Sequence, residues 1–368
     1  MNFEASAGGA DRYFRGLLSG LDDLGVPYLA AAFGQSAEDG PSVSRRISLG
    51  PPAAPLSARW RALRRFGKRA FSESPTRLLA AHFALYAAPL ALLRNAPPLV
   101  AHFHGSWAAE SAAEGEGRIA VTAKALVERY VLARARRCIV LSNAYRELLT
   151  KSCGVAGERI TVIPGGVDTE RFSCPRADRV ALRRHLGWPE DKRILLCVRR
   201  LARRMGLEEL LKAWAWVARA HPDAHLVIAG KGVMEKPLRE MAAALGLEAS
   251  VQFVGFLPEA CLPLAYAASD VSLVPSQTLE GFGLVTLESL ACGTPVLVTP
   301  VGGLPEAVSG LAPSLVLPGA DAGALADGLE YALRGGLPSS EACRAYAESF
   351  AWRNITRRVL AVYEGVSR

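Results

Sequence analysis

Short apolar runs alternate with amphipathic stretches along this chain, and the alternation repeats from one end to the other. The runs at Val26–Ala32, Leu99–Phe103, Arg137–Ser142, Ile194–Val198, His225–Ala229, Val251–Gly255, Val271–Val274 and Val296–Val298 read as buried strands. Between them, Tyr13, Leu17, Leu18, Leu21 and Leu24 fall at helical spacing, as do the segments Leu207–Ala220, Leu284–Ala291, Ala322–Leu333 and Glu341–Val366. Strand–helix alternation of this kind predicts an α/β chain with parallel sheets. The densest example is Asp270–Thr299: a strand, a loop with two glycines and an acid, a helix closed by Gly293 and Pro295, and a second strand. The N-terminus of that helix would offer free N–H groups and the positive end of a dipole to an anion. Glu280 sits in the mouth of the loop and Glu288 on the helix, with seven residues between them. Two readings stand side by side: a pair of solvated carboxylates beside a glycine turn, or a pair of site carboxylates over a phosphate-ready helix.

At 368 residues the chain is long enough for two domains of ordinary size. Half of it is hydrophobic and 21% is charged, the balance of a globular protein. A net charge of +8 suits an anionic partner: nucleotide phosphates, an acidic membrane surface or nucleic acid. Zinc-finger spacing and basic-region heptads are absent, so no nucleic acid is expected. The seven cysteines are scattered without a C-x-x-C, which fits a reduced cytoplasm and neither a disulfide frame nor a metal site. Met1 leads into small and polar residues rather than a signal peptide. The longest apolar stretch, Leu78–Leu93, is interrupted by His82 and Pro89 and falls short of a membrane span. The expected location is cytoplasmic, soluble or peripheral on the inner face of a membrane.

The segment from Arg45 to Phe71 differs in character. Arg59, Arg61, Arg64, Arg65, Lys68 and Arg69 flank a face made of Trp60, Leu63 and Gly67. Either that face packs on the protein's own sheet, or the helix lies on anionic lipid, where each basic residue contributes roughly 1 kcal/mol.

The string E-G-F-G-L-V-T-L-E-S-L-A-C-G-T-P-V, from Glu280 onward, resembles the donor-site signature of family 4 retaining glycosyltransferases. Other segments resemble that family in the same order. Gly8-Gly9-Ala10-Asp11-Arg12 matches a glycine loop that approaches the donor diphosphate, although Met1–Ala7 is too short and polar to supply the strand that normally precedes it. His104, inside H-F-H-G-S-W at a strand's carboxyl end, matches the family histidine near the transferred sugar. His102 is expected to face elsewhere as core, with His82, Trp107 and Glu110 on the acceptor side. Ile160–Phe172 resembles the interdomain segment, with Gly165 where asparagine is usual, and Phe172–Asp191 is read as a linker. The family's G-R-L…K-G motif departs here: its glycine is Arg199, its arginine Arg200 and its lysine Met205, so Arg204 is expected to take the lysine's part. Phe256 and Leu257 are candidates for the base pocket; Val301–Glu306 resembles the G-G-x-P-E turn, and Trp352 the point where the last helix crosses back.

The resemblance covers the chain from Gly8 to the final helix and implies the GT-B arrangement: two Rossmann-like domains facing across a cleft, at 1–173 and 174–345, with a C-terminal helix at 346–368. It implies retaining, metal-independent transfer of a hexose-type sugar from a nucleotide-diphosphate donor, most simply UDP- or GDP-linked, to a hydroxyl of a glycan, lipid-linked or small-molecule acceptor. The catalytic candidates are His104, Glu280, Arg200 and Arg204. The donor-binding candidates are Gly8, Gly9, Phe256, Leu257, Gly281, Phe282, Gly283, Leu284, Val285 and Glu288. No cofactor is expected beyond the nucleotide sugar as co-substrate. Two readings of other classes stay open: a sugar-nucleotide epimerase of the same fold, and a non-catalytic nucleotide-sugar-binding scaffold.

Overall fold

The computed structural model describes residues 8–34, 44–73, 77–173 and 178–367. The Met1–Ala7 segment, for which no strand is expected, lies outside the described residues. The chain forms two compact units, Met1–Gly166 with Trp352–Arg368, and Val167–Ala351. The elements run α1 Gly9–Asp23, β1 Leu29–Ala32, β2 Arg45–Ser48, α2 Leu56–Glu73, β3 Leu79–Ala81, α3 Ala84–Ala91, β4 Leu99–Phe103, α4 Trp107–Ala113, α5 Arg118–Arg134, β5 Arg137–Val140, α6 Asn143–Cys153 and β6 Ile160–Val162. They continue with α7 Arg179–Leu186, β7 Arg193–Val198, α8 Leu207–Ala220, β8 Ala224–Ala229, α9 Glu235–Ala244, β9 Val251–Gly255, α10 Leu262–Ala268, β10 Val271–Val274, α11 Leu284–Ala291, β11 Val296–Val298, α12 Leu304–Val308, α13 Ala322–Leu333, α14 Ser340–Glu348 and α15 Trp352–Ser367.

In the first unit a parallel sheet of order β3-β4-β5-β6 carries the core, and β1 pairs with β2 apart from it. Helix α5 packs on α3 and α4, and α1 packs on α15. Trp352, the first residue of α15, fits a notch made by two glycines: a Cβ on Gly16 would lie 2.0 Å from its indole, and one on Gly166 2.6 Å. The chain leaves this unit after Gly166 and returns at Trp352, whereas the sequence reading divides it at 173 and 345. Within the second unit Val167 N–H donates to Phe350 O at 2.9 Å and Val167 bridges Ala351, so both crossings are tied together there.

The second unit is built on one parallel sheet of order β11-β10-β7-β8-β9. Strands β8 and β10 are buried along their whole length, as parallel strands covered on both faces must be. Asp270 pins the start of β10 to its neighbours by accepting from Ile194 N–H (2.7 Å) and Arg183 Nη2 (2.7 Å) and by pairing with Arg179.

Several expectations change. The strand predicted from Val26 begins only at Leu29, since Pro27 has no N–H to give a sheet. The polar strand β2 carries only one large apolar residue, Ile47, and its pattern is hidden in a basic segment. The linker predicted over Phe172–Asp191 contains helix α7, capped by Asp178, whose carboxylate accepts from Ala181 N–H at 2.8 Å. The Glu341–Val366 stretch is two helices, α14 and α15. On α2 the apolar face packs on the protein: Leu63 and Gly67 are buried, and a Cβ on Gly67 would lie 2.6 Å from Leu90. Arg61, Arg64, Arg65, Lys68 and Arg69 stay exposed on the other side. Among the described residues no helix is long and apolar enough to cross a membrane.

Candidate active site

In the second unit, β7 leads to β8 on one side while β10 lies on its other side, so the order of the parallel strands reverses between β7 and β10. Such switch points open a crevice at the strands' carboxyl ends. Here the crevice is bounded by the loop after β7 (199–206) and the loop after β10 (275–283). The two loops are in direct contact. Gly206 has φ +75°, and a Cβ on it would lie 1.8 Å from Pro275 O. Gln277 N–H donates to Arg204 O at 2.8 Å. A third loop closes from the β11 side: Gly303 N–H donates to Glu280 O at 2.9 Å, and Gly302, φ +57°, leaves no space for a Cβ, which would lie 2.0 Å from that same oxygen.

Glu280 therefore has a fixed backbone, and its side chain is fixed too. Its Oε2 pairs with Arg199 Nη2 and accepts from Ser276 Oγ at 2.9 Å. Ser276 is itself held, since Thr299 Oγ1 donates to its carbonyl at 2.6 Å. Arg199 Nη2 also reaches Ser276 Oγ (2.7 Å) and Met205 Sδ (2.9 Å). In the sequence, Arg199 stands out only as a departure from the family pattern. The signal was that an arginine replacing a glycine at the end of a buried strand must find an anion.

Arg204 donates from Nη1 to Leu279 O at 3.3 Å, while Met205 is buried. Leu279 adopts φ +55°, a conformation that costs a non-glycine residue roughly 1–2 kcal/mol. Arg200 is exposed at the carboxyl end of β7. Gly281, Phe282 and Gly283 are buried, and Gly283 caps α11, whose first residues Leu284 and Val285 are half-buried. Glu288, one helical segment on, is buried and accepts from Tyr266 OH at 3.4 Å. Phe256, just past β9, is 49% exposed, and Leu257 beside it is half-buried.

The first unit has its own cluster at the carboxyl end of β4. Residues two apart on a strand share a face, so His102 does not turn away from His104 as expected; the two rings stack with centroids 6.3 Å apart. His82, which follows β3, joins them: its ring stacks on His102 at 4.2 Å, and its Nδ1 lies 3.1 Å from His104 Nε2. One of those nitrogens must donate and the other accept. His102 Nε2 meets Tyr363 OH at 2.6 Å, and the Tyr13 ring lies over His104 at 4.7 Å. Burial holds His104 down at about 3; burial, with the neighbouring imidazoles adding to it, puts His82 and His102 well below the usual imidazole range. All three rings are neutral near pH 7. Burial likewise raises Tyr13 and Tyr363.

Gly105 then turns the chain at φ +143°, and Ser106 caps α4 by accepting from Ala109 N–H at 3.1 Å. Trp107 packs against Phe83 at 5.4 Å and under Lys124 Nζ at 4.7 Å. A Cβ on Gly105 would lie 3.5 Å from Glu110 Oε1, which places that carboxylate beside the turn. Gly8 is the N-cap of α1 and Gly9 its first residue. Of the acceptor-side candidates, His82 is thus a buried partner of His104, and Trp107 and Glu110 are half-buried at the strand end.

The chain matches two family descriptions in succession: Glycosyltransferase Family 4 over residues 7–171 and Glycosyl transferases group 1 over residues 178–350. It is 35% identical over 280 residues to D-inositol 3-phosphate glycosyltransferase of Acidothermus cellulolyticus, covering 72% of this chain and 61% of the relative. It is 37% identical over 172 residues to a GDP-mannose-dependent monoacylated alpha-(1-6)-phosphatidylinositol monomannoside mannosyltransferase of Corynebacterium glutamicum, covering 45% of this chain and 44% of that one. The chain thus spans under two thirds of the length of either relative. Among solved structures, sucrose-phosphate synthase of Thermosynechococcus elongatus superimposes with a TM-score of 0.79 at 26% identity, covering 98% of this chain and 94% of that one.

Proposed function

The chain belongs to the group 1, family 4 glycosyltransferases with a GT-B fold, and from that premise we propose that it moves a hexose-type sugar from a UDP- or GDP-linked donor to a hydroxyl acceptor with retention at the anomeric carbon. The observation that carries this reading is the crevice between β7 and β10, where a fixed Glu280 stands on the loop that Arg204 reaches at Leu279 O and that leads into the N-terminus of α11, with Arg200 exposed at the end of β7.

Loss of the diphosphate leaves positive charge on the sugar and adds negative charge to the phosphate. Arg200, Arg204 and the N–H groups of Gly283 and Leu284 stabilise the phosphate, acting as preorganised cations and donors. Those cations neutralise the leaving group, so the step is proposed to run without a metal ion. Glu280 orients the sugar hydroxyls and favours the developing positive charge. Glu288 takes the ribose hydroxyls, and the chain at Phe256 and Leu257 borders the base. Gly8 and Gly9 at the start of α1 are proposed to approach the diphosphate, and His104 to border the sugar. Neutral at working pH, His104 serves as a hydrogen-bond partner rather than a charge. The acceptor hydroxyl gives its proton to the departing phosphate on the same face.

The relatives' names mention an inositol phosphate and a lipid-linked mannoside, so the acceptor is proposed to be a polyol or a lipid-linked glycan. For a lipid-linked acceptor, the exposed basic side of α2 would rest on an anionic membrane surface. The test is to incubate the protein with UDP-glucose, UDP-N-acetylglucosamine and GDP-mannose, with and without inositol phosphate and phosphatidylinositol, and to identify products by mass spectrometry. An α-linked product made only with acceptor present, and lost in Glu280→Gln, is the expected result. An isomerised donor formed without acceptor would make it an epimerase, and nucleotide binding without any turnover a scaffold.

A further inference from the structure

Arg199 stands at the end of β7 with its side chain 7% exposed, and its guanidinium meets one carboxylate, that of Glu280, itself 14% exposed. A buried arginine and a nearly buried glutamate are each costly alone and persist as a pair. The contacts are one-sided. Arg199 Nη2 and Ser276 Oγ both approach Glu280 Oε2, and Oε1 accepts no hydrogen bond from the described residues. The backbone of Glu280 is held independently, through its carbonyl, by Gly303 N–H at 2.9 Å. A carboxylate anchored by one oxygen and clamped at its carbonyl presents the other oxygen in a single direction. The buried Met205 thioether lies 2.9 Å from the same Nη2, so the nitrogen that meets the carboxylate is also packed against the protein.

The geometry points to Arg199 as the positioning residue for Glu280: it holds Oε2 so that Oε1 accepts a hydroxyl of the donor's sugar. This rests on the reading of the crevice as a nucleotide-sugar site, and it assigns sugar recognition to an arginine that never touches the diphosphate. Arg199 therefore governs how much the sugar adds to nucleotide affinity and leaves nucleotide affinity itself alone.

The experiment measures dissociation constants by calorimetry for two probe pairs, UDP with UDP-glucose and GDP with GDP-mannose, and proceeds with the pair the wild type binds. The quantity read is the ratio of nucleotide to nucleotide-sugar dissociation constants. In Arg199→Met that ratio is expected to fall about tenfold to a hundredfold, the worth of a hydrogen bond to a charged group, with the nucleotide constant unchanged. Arg199→Lys should recover part of the ratio. In the Glu280→Gln background, Arg199→Met should cost nothing further, because the carboxylate it positions is gone.

Unchanged nucleotide affinity in Arg199→Met serves as the folding control. An unaltered ratio overturns the inference, and so does equal loss of nucleotide and nucleotide sugar, or an undiminished effect beside Glu280→Gln. Tighter sugar binding by Arg199→Gly would show that the guanidinium occupies the sugar's place, and would overturn it as well. If the wild type binds neither pair, this inference and the proposed function fall together; if it binds a pair without the coupling, only this inference falls.

Discussion

Replacing Gly302 by alanine tests whether the loop carrying Glu280 is held by its neighbour or merely lies beside it. Gly302 has φ +57°, and an alanine Cβ would stand 2.0 Å from Glu280 O and 3.0 Å from its carbonyl carbon. Both contacts are to backbone, so no rotamer change relieves them. The left-handed conformation costs alanine roughly 1–2 kcal/mol. Separating the loops also loses the Gly303 N–H to Glu280 O bond at 2.9 Å, worth about 0.5–1.5 kcal/mol. The sum is about 1.5–3.5 kcal/mol, and at roughly 2–4 °C per kcal/mol for a unit of this size the melting temperature should drop by about 3–14 °C. Nucleotide-sugar affinity should fall with it, because Glu280 is displaced. Differential scanning calorimetry and titration calorimetry on the same preparation read both effects. A variant that melts within about a degree of wild type and binds as wild type would refute the clamp.

Trp352→Ala should destabilise the protein by about 3–5 kcal/mol, as expected for removing a buried indole; its notch between Gly16 and Gly166 cannot refill, and a denaturation midpoint close to wild type would contradict the packing. The buried histidines set a pH dependence with a definite sign. Their folded values lie below the ordinary imidazole value near 6.5, with His104 at about 3, so unfolding takes up protons at acid pH. Their contribution is fully present above about pH 6.5 and is lost as pH falls through that value toward 3, by up to roughly 1.4 kcal/mol per pH unit for each ring. Urea midpoints from pH 7 to 4.5 should therefore fall more steeply for wild type than for His104→Gln; parallel curves would count against a buried, neutral cluster. On α2, Arg61→Glu with Arg64→Glu and Arg65→Glu should weaken sedimentation with phosphatidylglycerol vesicles by roughly 1 kcal/mol or more per residue while leaving the fold intact; undiminished sedimentation would remove this helix from any membrane contact.

Much of the second unit was legible because its strands are continuous apolar runs. Val271–Val274, Val296–Val298, Leu207–Ala220, Leu284–Ala291 and Ala322–Leu333 begin and end where the pattern of residues puts them. A run buried on both faces leaves no ambiguity of face, and Pro275 stands directly after the first of these strand runs. In the first unit the polar strand β2 and the basic helix α7 of the second escaped notice, because their burial depends on partners far along the chain rather than on local periodicity. The misplacement of His102 was an error of period: residues two apart on a strand share a face, and the cluster followed from that alone. Arg199 was harder. A departure from a family pattern was visible in the sequence, but the carboxylate that pairs with it lies 81 positions away, and only the packing of β7 beside β10 brings them together.

The most direct test of the account is calorimetric titration of the wild type with UDP, GDP and dTDP, repeated on Arg204→Ala. One nucleotide is expected to bind the wild type, and the variant to bind it about tenfold to a hundredfold more weakly, as for removal of a charged donor to phosphate. If no nucleotide binds, or if Arg204→Ala binds as tightly as wild type, the crevice between β7 and β10 is not the donor site.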